Sequence, residues 1–139
     1  MKRRIALLSA AVLLMSALGF GSASAAEAPA PESFSGNYQC PAGSLKIDPV
    51  ASGTYALPDG GTITITVRDT TKGKVFDFTT SGAEIDSIVV KGGTGYNVYI
   101  FAPAVTSAEG LHSPLNLNNN KWYGLSHLCI EGTKKDDKK

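Results

Sequence analysis

The stretch from Ile85 to Phe101, IDSIVVKGGTGYNVYIF, constrains the fold of this chain more than any other segment. Two runs rich in β-branched and aromatic residues flank the glycine-rich sequence Gly92–Gly95, a pattern typical of two strands joined by a tight turn. Apolar residues fall on both faces of each run, and a strand with two apolar faces needs cover on both sides. We therefore predict a hairpin buried near the middle of a β structure.

Further strand signals lie on either side of this hairpin. Upstream, Pro58-Asp59-Gly60-Gly61 separates two extended runs. Because proline fixes φ and glycine accepts positive φ, this sequence predicts a second hairpin. Its second arm, Thr62–Arg68, alternates isoleucine or valine with threonine, as a strand with one buried face does. Single strands are predicted at Ser44–Asp48, Val75–Thr80 and Leu125–Glu131.

The pattern as a whole indicates an all-β protein. After residue 25 no segment keeps an apolar period of 3.6 residues, so little helix is expected beyond a short turn near Ser107–Gly110. About six to eight short strands, with turns at intervals of roughly ten residues, predict an antiparallel β-sandwich. A small β-barrel is the alternative, because the number of strands does not separate the two. Ala102–Tyr123 is predicted to be a long loop, the kind of segment that often binds ligands.

The N-terminus has the composition of a secretory signal peptide. Three basic residues at positions 2–4 precede an apolar run, Ile5–Phe20, and small residues ending in Ala23-Ser24-Ala25 follow it. We expect cleavage after Ala25 and a secreted, extracellular protein, or a periplasmic one if the host has an outer membrane. The apolar run is shorter than the roughly 20 residues of a spanning helix. No membrane span is expected in the mature chain.

The predicted organisation is one domain with short extensions. Residues 1–25 form the signal peptide, and residues 26–36, with two prolines among small and polar residues, are predicted to be a flexible leader. The secreted β domain occupies residues 37–132. Residues 133–139 form a charged tail, which we expect to be a solvated terminus.

The net charge of the mature chain argues against one class of partner. The sequence has 13 Lys and Arg and 12 Asp and Glu, of which three basic residues lie in the signal peptide. The mature chain therefore carries ten basic and 12 acidic residues, a net charge of about −2. Binding a phosphate backbone requires a basic face that releases counterions. We expect no nucleic-acid partner.

The chain has two cysteines, Cys40 and Cys129, near the two ends of the predicted domain. In an exported protein such a pair predicts one disulfide. By the chain-entropy relation, a bond closing so long a loop stabilises the fold by about 4 to 5 kcal/mol. A metal-bound or reactive thiol pair lacks CxxC spacing to support it.

Four short motifs occur in a distinctive order: VKGG at Val90–Gly93, NVY at Asn97–Tyr99, GLHSP at Gly110–Pro114, and SH at Ser126-His127 ahead of Cys129. In this order the chain resembles a family of small secreted bacterial β domains that carry a disulfide. The resemblance covers about Leu45 to Cys129. That family has no settled activity, so the resemblance implies a fold and a location but no reaction. Here the cysteine follows the histidine by two positions rather than four, and either spacing keeps both side chains on one strand face.

Catalytic chemistry would depend on His112 or His127, the two histidines of the chain. Ser126 adjoins His127, but neighbours on a strand point to opposite faces. Ser113 lies beside His112 in the predicted loop, and with a carboxylate from elsewhere this pair would make a small hydrolase. We interpret His127 as a packed or hydrogen-bonded strand residue and His112 as a residue that fixes the loop. We assign no catalytic residue, metal or cofactor.

The aromatic residues give the best indication of a binding face. The predicted binding residues are Tyr96, Asn97, Tyr99, His112, Trp122 and Tyr123, around the central hairpin and the long loop. Aromatic faces beside amide groups suit a sugar or a protein surface. We therefore expect a secreted, non-catalytic β-sandwich module that binds a polysaccharide or a surface protein. The alternatives are the hydrolase and a structural or coat protein that self-associates through an edge strand.

The threonines of Thr62–Arg68 point to a further kind of surface, a threonine ladder that orders water or ice. Such a surface needs the pattern on several stacked strands. In the sequence it occurs once, so no such surface is predicted.

Overall fold

The computed structural model describes residues 26–135. The predicted signal peptide and residues 136–139 of the predicted tail lie outside that range. The described residues contain no helix and the following strands: β1 (Glu32–Ser35), β2 (Leu45–Ile47), β3 (Gly53–Ala56), β4 (Thr62–Thr70), β5 (Gly73–Ser81), β6 (Ala83–Gly92), β7 (Gly95–Val105), β8 (Ser107–Leu111), β9 (Leu115–Asn116), β10 (Lys121–Trp122) and β11 (His127–Lys134). The predicted all-β class is confirmed.

Two antiparallel sheets enclose the core. One has five strands in the order β1-β7-β6-β11-β2, and the other has four in the order β3-β4-β5-β8. Strands β9 and β10 form a separate two-stranded hairpin. Alternate residues of both sheets point inward, among them Ile63, Phe76, Ile88 and Leu128, each at most 1% exposed. This arrangement is consistent with the predicted β-sandwich.

The central hairpin is where the sequence places it. Strand β6 lies between β7 and β11, and its pairing with β7 runs from Ile85 opposite Val105, with a register shift before Ser87, to Gly92 opposite Gly95. The turn is tight because Gly93 adopts φ 60°. The second predicted hairpin also forms, as β3 and β4 around Pro58–Gly61.

The segment 26–36 belongs to the fold, and its prediction as a flexible leader is wrong. The Glu109 N–H donates to the Ala26 carbonyl (3.0 Å) and the Ala28 N–H to the Glu109 carbonyl (2.9 Å), so the chain first runs along the edge of β8. It then crosses to the other sheet, where β1 pairs with β7. The segment therefore covers one edge of each sheet, whose backbone groups need partners. The domain also extends past residue 132, because β11 ends at Lys134.

The predicted disulfide, Cys40–Cys129, is present, with Cα atoms 5.2 Å apart. Cys129 lies in β11 between two core residues and therefore points to the outer face of the five-stranded sheet. The loop from β1 to β2 crosses this face, because those strands are its opposite edges. The disulfide clamps the crossing loop to the middle of the sheet.

The prediction of a long loop from Ala102 to Tyr123 is wrong over its first half. Strand β7 continues to Val105, and β8 occupies Ser107–Leu111, where a helical turn is predicted from sequence. Burial decides the conformation, because Ala108 and Leu111 complete the core opposite the phenylalanines of β5. The segment that remains irregular is 112–126, interrupted by the β9–β10 hairpin.

Candidate functional site

Three of the six predicted binding residues lie in β7, and they point to opposite faces of the five-stranded sheet. Along β7, Asn97 and Tyr99 point inward and are 1% exposed, whereas Tyr96 points outward. The Tyr96 ring packs between Phe34 (centroids 5.3 Å apart) and Tyr38 (5.0 Å). Tyr96 therefore does not share a surface with Asn97 and Tyr99.

The two inward residues of β7 hold the backbone of His112. The Tyr99 hydroxyl accepts a hydrogen bond from the His112 N–H (2.9 Å) and donates to the His112 carbonyl (3.2 Å). The Asn97 amide donates to the same carbonyl at 2.9 Å. Burial raises the pKa of Tyr99 to about 12. These two residues are supports of the loop, because neither side chain is accessible to a ligand.

The ring of His112 stacks on Trp122, with centroids 3.5 Å apart and planes 10° apart. The ammonium of Lys72 lies 4.5 Å from the centroid of the indole. Since the imidazole fills the space over one face, the ammonium has room only over the other. The backbone N–H of Trp122 also donates to the Lys72 carbonyl at 2.7 Å. The stacked imidazole and the ammonium thus restrict the indole surface of Trp122 that a sugar ring could contact.

Ser113 does not have the geometry of a nucleophile. Its side chain is buried, and its hydroxyl donates to the Tyr123 carbonyl. The His112 Nδ1 atom lies 2.8 Å from the Ser113 carbonyl oxygen instead of the hydroxyl. Within residues 26–135 no hydrogen bond joins the His112 ring to the Ser113 hydroxyl or to Glu109. The pair fixes the loop by its backbone and side-chain bonds.

The second histidine lies beside the disulfide. The potential ligand atoms of Cys40, His127 and Cys129 lie within 4.8 Å of one another. Both sulfurs are bonded to each other, however, and a metal requires thiolates. The His127 Nε2 atom lies 3.1 Å from the Tyr38 carbonyl oxygen. His127 thereby attaches the crossing loop to β11.

A cleft of about 310 Å³ separates β1 from the β9–β10 hairpin, and we call it the hairpin cleft. Of the predicted binding residues, only Tyr123 lines it. The ring of Tyr123 rests on the turn at Gly93, where a Cβ atom would lie 2.3 Å from the ring. The full lining is Ser33, Phe34, Ser35, Thr94, Gly95, Pro114, Leu115, Asn116, Leu117, Asn118 and Tyr123.

The asparagine run beside the cleft is held in one conformation by its own hydrogen bonds. The Asn118 N–H donates to the Asn116 side-chain oxygen (3.0 Å), and the Lys121 N–H donates to that of Asn119 (3.0 Å). Asn120 adopts φ 61°, a conformation that asparagine tolerates. The turn leaves Leu117 85% exposed at the rim.

Sequence reasoning missed most of the cleft. Ser33 and Ser35 fall in the predicted leader. Thr94 falls between glycines that predict a turn but give no indication of ligand binding. The asparagine run is visible in the sequence, but nothing local indicates that it faces β1. Only the pairing of β1 with β7 brings these groups together.

The chain matches no known family model, and comparison with curated proteins and with solved structures finds no significant relative. Between residues 26 and 135 there is no helix with the length and hydrophobicity that a membrane crossing requires.

Proposed function

We propose that this protein is a secreted, non-catalytic β-sandwich module that binds a polysaccharide or protein at the cell surface or in the extracellular matrix. The observation that carries the proposal is the hairpin cleft, a preformed concavity with an exposed leucine, Leu117, at its rim. Because hydrogen bonds already order the asparagine run, a ligand that binds there loses little free energy to loop ordering.

Two further observations support a secreted location. The first 25 residues have the composition of a signal peptide. The disulfide Cys40–Cys129 is typical of proteins that fold in an oxidising compartment. Both features agree with a module that functions outside the cell.

The geometry of His112 and Ser113 argues against the hydrolase alternative. A nucleophilic serine needs its hydroxyl within reach of a base and open to substrate. The Ser113 hydroxyl is buried and donates to a carbonyl group. A binding role therefore has more support than a catalytic one.

The test is a pull-down of the mature chain, residues 26–139, on whole cells and on insoluble polysaccharides. Leu117→Asp places a charge at the rim of the cleft. Ile100→Asp is the matched control, because Ile100 is 61% exposed and lies outside the cleft lining. We expect retention that Leu117→Asp abolishes and Ile100→Asp preserves. No retention, or equal retention of all three proteins, would overturn the proposal.

A further inference from the structure

We infer that the ligand of the hairpin cleft is an uncharged saccharide. This inference rests on the proposed function and names the chemical class that the cleft would accept. Three properties of the cleft lining support it: the absence of charge, the hydrogen-bonding capacity and the shape.

The cleft lining carries no ionic group. None of its 11 residues is Asp, Glu, Lys, Arg or His. A charged ligand in such a cleft would lose hydration without gaining an ion pair, and an unpaired charge is costly to desolvate. Phosphorylated, sulfated and uronic acid-containing ligands are therefore disfavoured.

The polar groups of the cleft approach it from three sides. Ser33 and Ser35 belong to β1, Thr94 to the central turn, and Asn116 and Asn118 to the β9–β10 hairpin. Hydroxyl and amide groups both donate and accept hydrogen bonds. Sugar hydroxyls have the same dual capacity, so a neutral saccharide can satisfy groups on all three sides at once.

Some of these polar groups already make hydrogen bonds within the protein, and others are free to bond to a ligand. The Ser33 hydroxyl donates to the buried Asn97 side chain, and the Asn116 side-chain oxygen accepts from Asn118. The side-chain amide of Asn118 makes no hydrogen bond to another side chain or backbone group within residues 26–135. Asn118 is thus one of the lining residues whose side chain is free to bond to a ligand.

The apolar part of the lining suits the C–H faces of a sugar ring. Tyr123 contributes an aromatic side chain and Leu117 an aliphatic one at the rim. Aromatic side chains commonly combine an apolar face with a polar group at binding sites. The volume of about 310 Å³ is near the lower end of the range for small-ligand sites. A short stretch of a glycan, held in an open cleft, fits these dimensions.

The test is titration calorimetry of the mature chain with soluble neutral glycans, namely β-glucan, mannan and chitin oligosaccharides, with alginate and heparin as anionic probes. We expect binding to at least one neutral glycan with an affinity that changes less than twofold between low and high salt. Asn118→Ala should weaken binding roughly three- to tenfold, the loss of about one hydrogen bond. Asn37→Ala is the control, because Asn37 lines a different cleft.

The possible failures differ in what they overturn. Binding only to the anionic probes, with strong salt dependence, would contradict the inference. Retention on cells that depends on Leu117 but is lost after protease treatment, with no glycan bound in solution, would identify a protein ligand. In that case the proposed function stands and the saccharide inference fails. Absence of Leu117-dependent retention on every surface would overturn both.

Discussion

The imidazole of His112 lies flat against the indole of Trp122, with ring centroids 3.5 Å apart. His112 comes from the segment after β8, whereas Trp122 comes from β10, so this contact fixes the β9–β10 hairpin against the sandwich. Lys72, from the turn between β4 and β5, adds a cation on the far side of the indole. The stack therefore supports the loop that forms one wall of the hairpin cleft.

Protonation of His112 is expected to loosen this support. Burial lowers the pKa of His112 from its ordinary value of 6.5, and the nearby charge of Lys72 acts in the same direction. Since the folded pKa is below the unfolded one, the unfolded chain binds more protons, and stability falls as the pH drops below about 6.5. His112→Phe keeps an aromatic ring but does not titrate. Melting temperatures measured from pH 8 to pH 4.5 should fall less in this variant, and identical curves would contradict the prediction.

Removal of the side chain of Asp77 should destabilise the four-stranded sheet. Asp77 accepts two hydrogen bonds from Arg68 (2.8 and 3.1 Å) and one from the Gly110 N–H (2.9 Å). Asp77→Ala leaves that N–H without its acceptor, at a cost of roughly 1 to 3 kcal/mol. Asp69→Ala, which removes an exposed ion pair with Lys74, should cost less than about 1 kcal/mol. Urea denaturation measures the free energy of unfolding of both variants. Equal losses would contradict the role of Asp77 as the acceptor for the Gly110 N–H.

The pH dependence of Asp77 has a definite sign. Burial tends to raise its pKa, but the hydrogen bonds from Arg68 and the Gly110 N–H outweigh burial and lower the pKa below 3.8. The folded state therefore binds the proton less tightly than the unfolded state. The stabilisation that Asp77 contributes is present above the pKa of this residue in the unfolded chain, and it is lost as the pH falls through its pKa in the folded protein. In urea denaturation at a series of pH values, Asp77→Asn should reduce the slope of stability against pH below about pH 4.

The disulfide should contribute a large share of the stability. It joins residues 89 apart in sequence and clamps the loop that crosses the outer face of the five-stranded sheet. Replacing both cysteines with alanine should lower the free energy of unfolding by about 4 to 5 kcal/mol. Guanidinium denaturation of the double variant measures the loss. A loss below about 1 kcal/mol would mean that the crossing loop is held by Tyr38 and His127 rather than by the covalent bond.

A side chain at position 93 should displace Tyr123 from the turn. Gly93 has φ 60°, and a Cβ atom there would lie 2.3 Å from the Tyr123 ring. Gly43 also has a positive φ, 88°, but a Cβ atom at that position would have no neighbour within 4 Å. We expect Gly93→Ala to cost at least about 1 kcal/mol more than Gly43→Ala. A double-mutant cycle with Tyr123→Ala, measured by thermal unfolding, tests the cause. The extra cost of Gly93→Ala should disappear when the Tyr123 ring is absent, and additive effects of the two substitutions would contradict the contact.

Local sequence was sufficient to predict the two hairpins, one in each sheet. The two apolar runs around Gly92–Gly95, the Pro58–Gly61 turn and the alternation of Thr62–Arg68 each depend on neighbouring residues, and each has the predicted conformation. Two cysteines near the two ends of a domain that is predicted to be exported were enough to predict their bond, which the structure contains. The predicted secretion and binding function stay predictions.

The errors occur where conformation depends on distant partners. Residues 26–36 look like a linker because their composition is that of one, yet both sheets supply partners for their backbone. Ser107–Leu111 lacks strand-like alternation, but the core needs Ala108 and Leu111 opposite β5. In both places tertiary contacts outweigh local preference.

The threonines of Thr62–Arg68 and the hairpin cleft show the same distinction between local sequence and tertiary structure. The sequence contains one strand of alternating threonines, but pairing sets Thr64 between Thr54 and Thr79, with Ser107 beyond, so a row of hydroxyls crosses all four strands. In the cleft, β1 and the asparagine run are more than 75 residues apart and meet through β7. Periodicity along the chain determined which residues of each strand face out. Strand order alone decided which of those residues became neighbours, because burying the apolar faces selects the pairing and local sequence does not encode it.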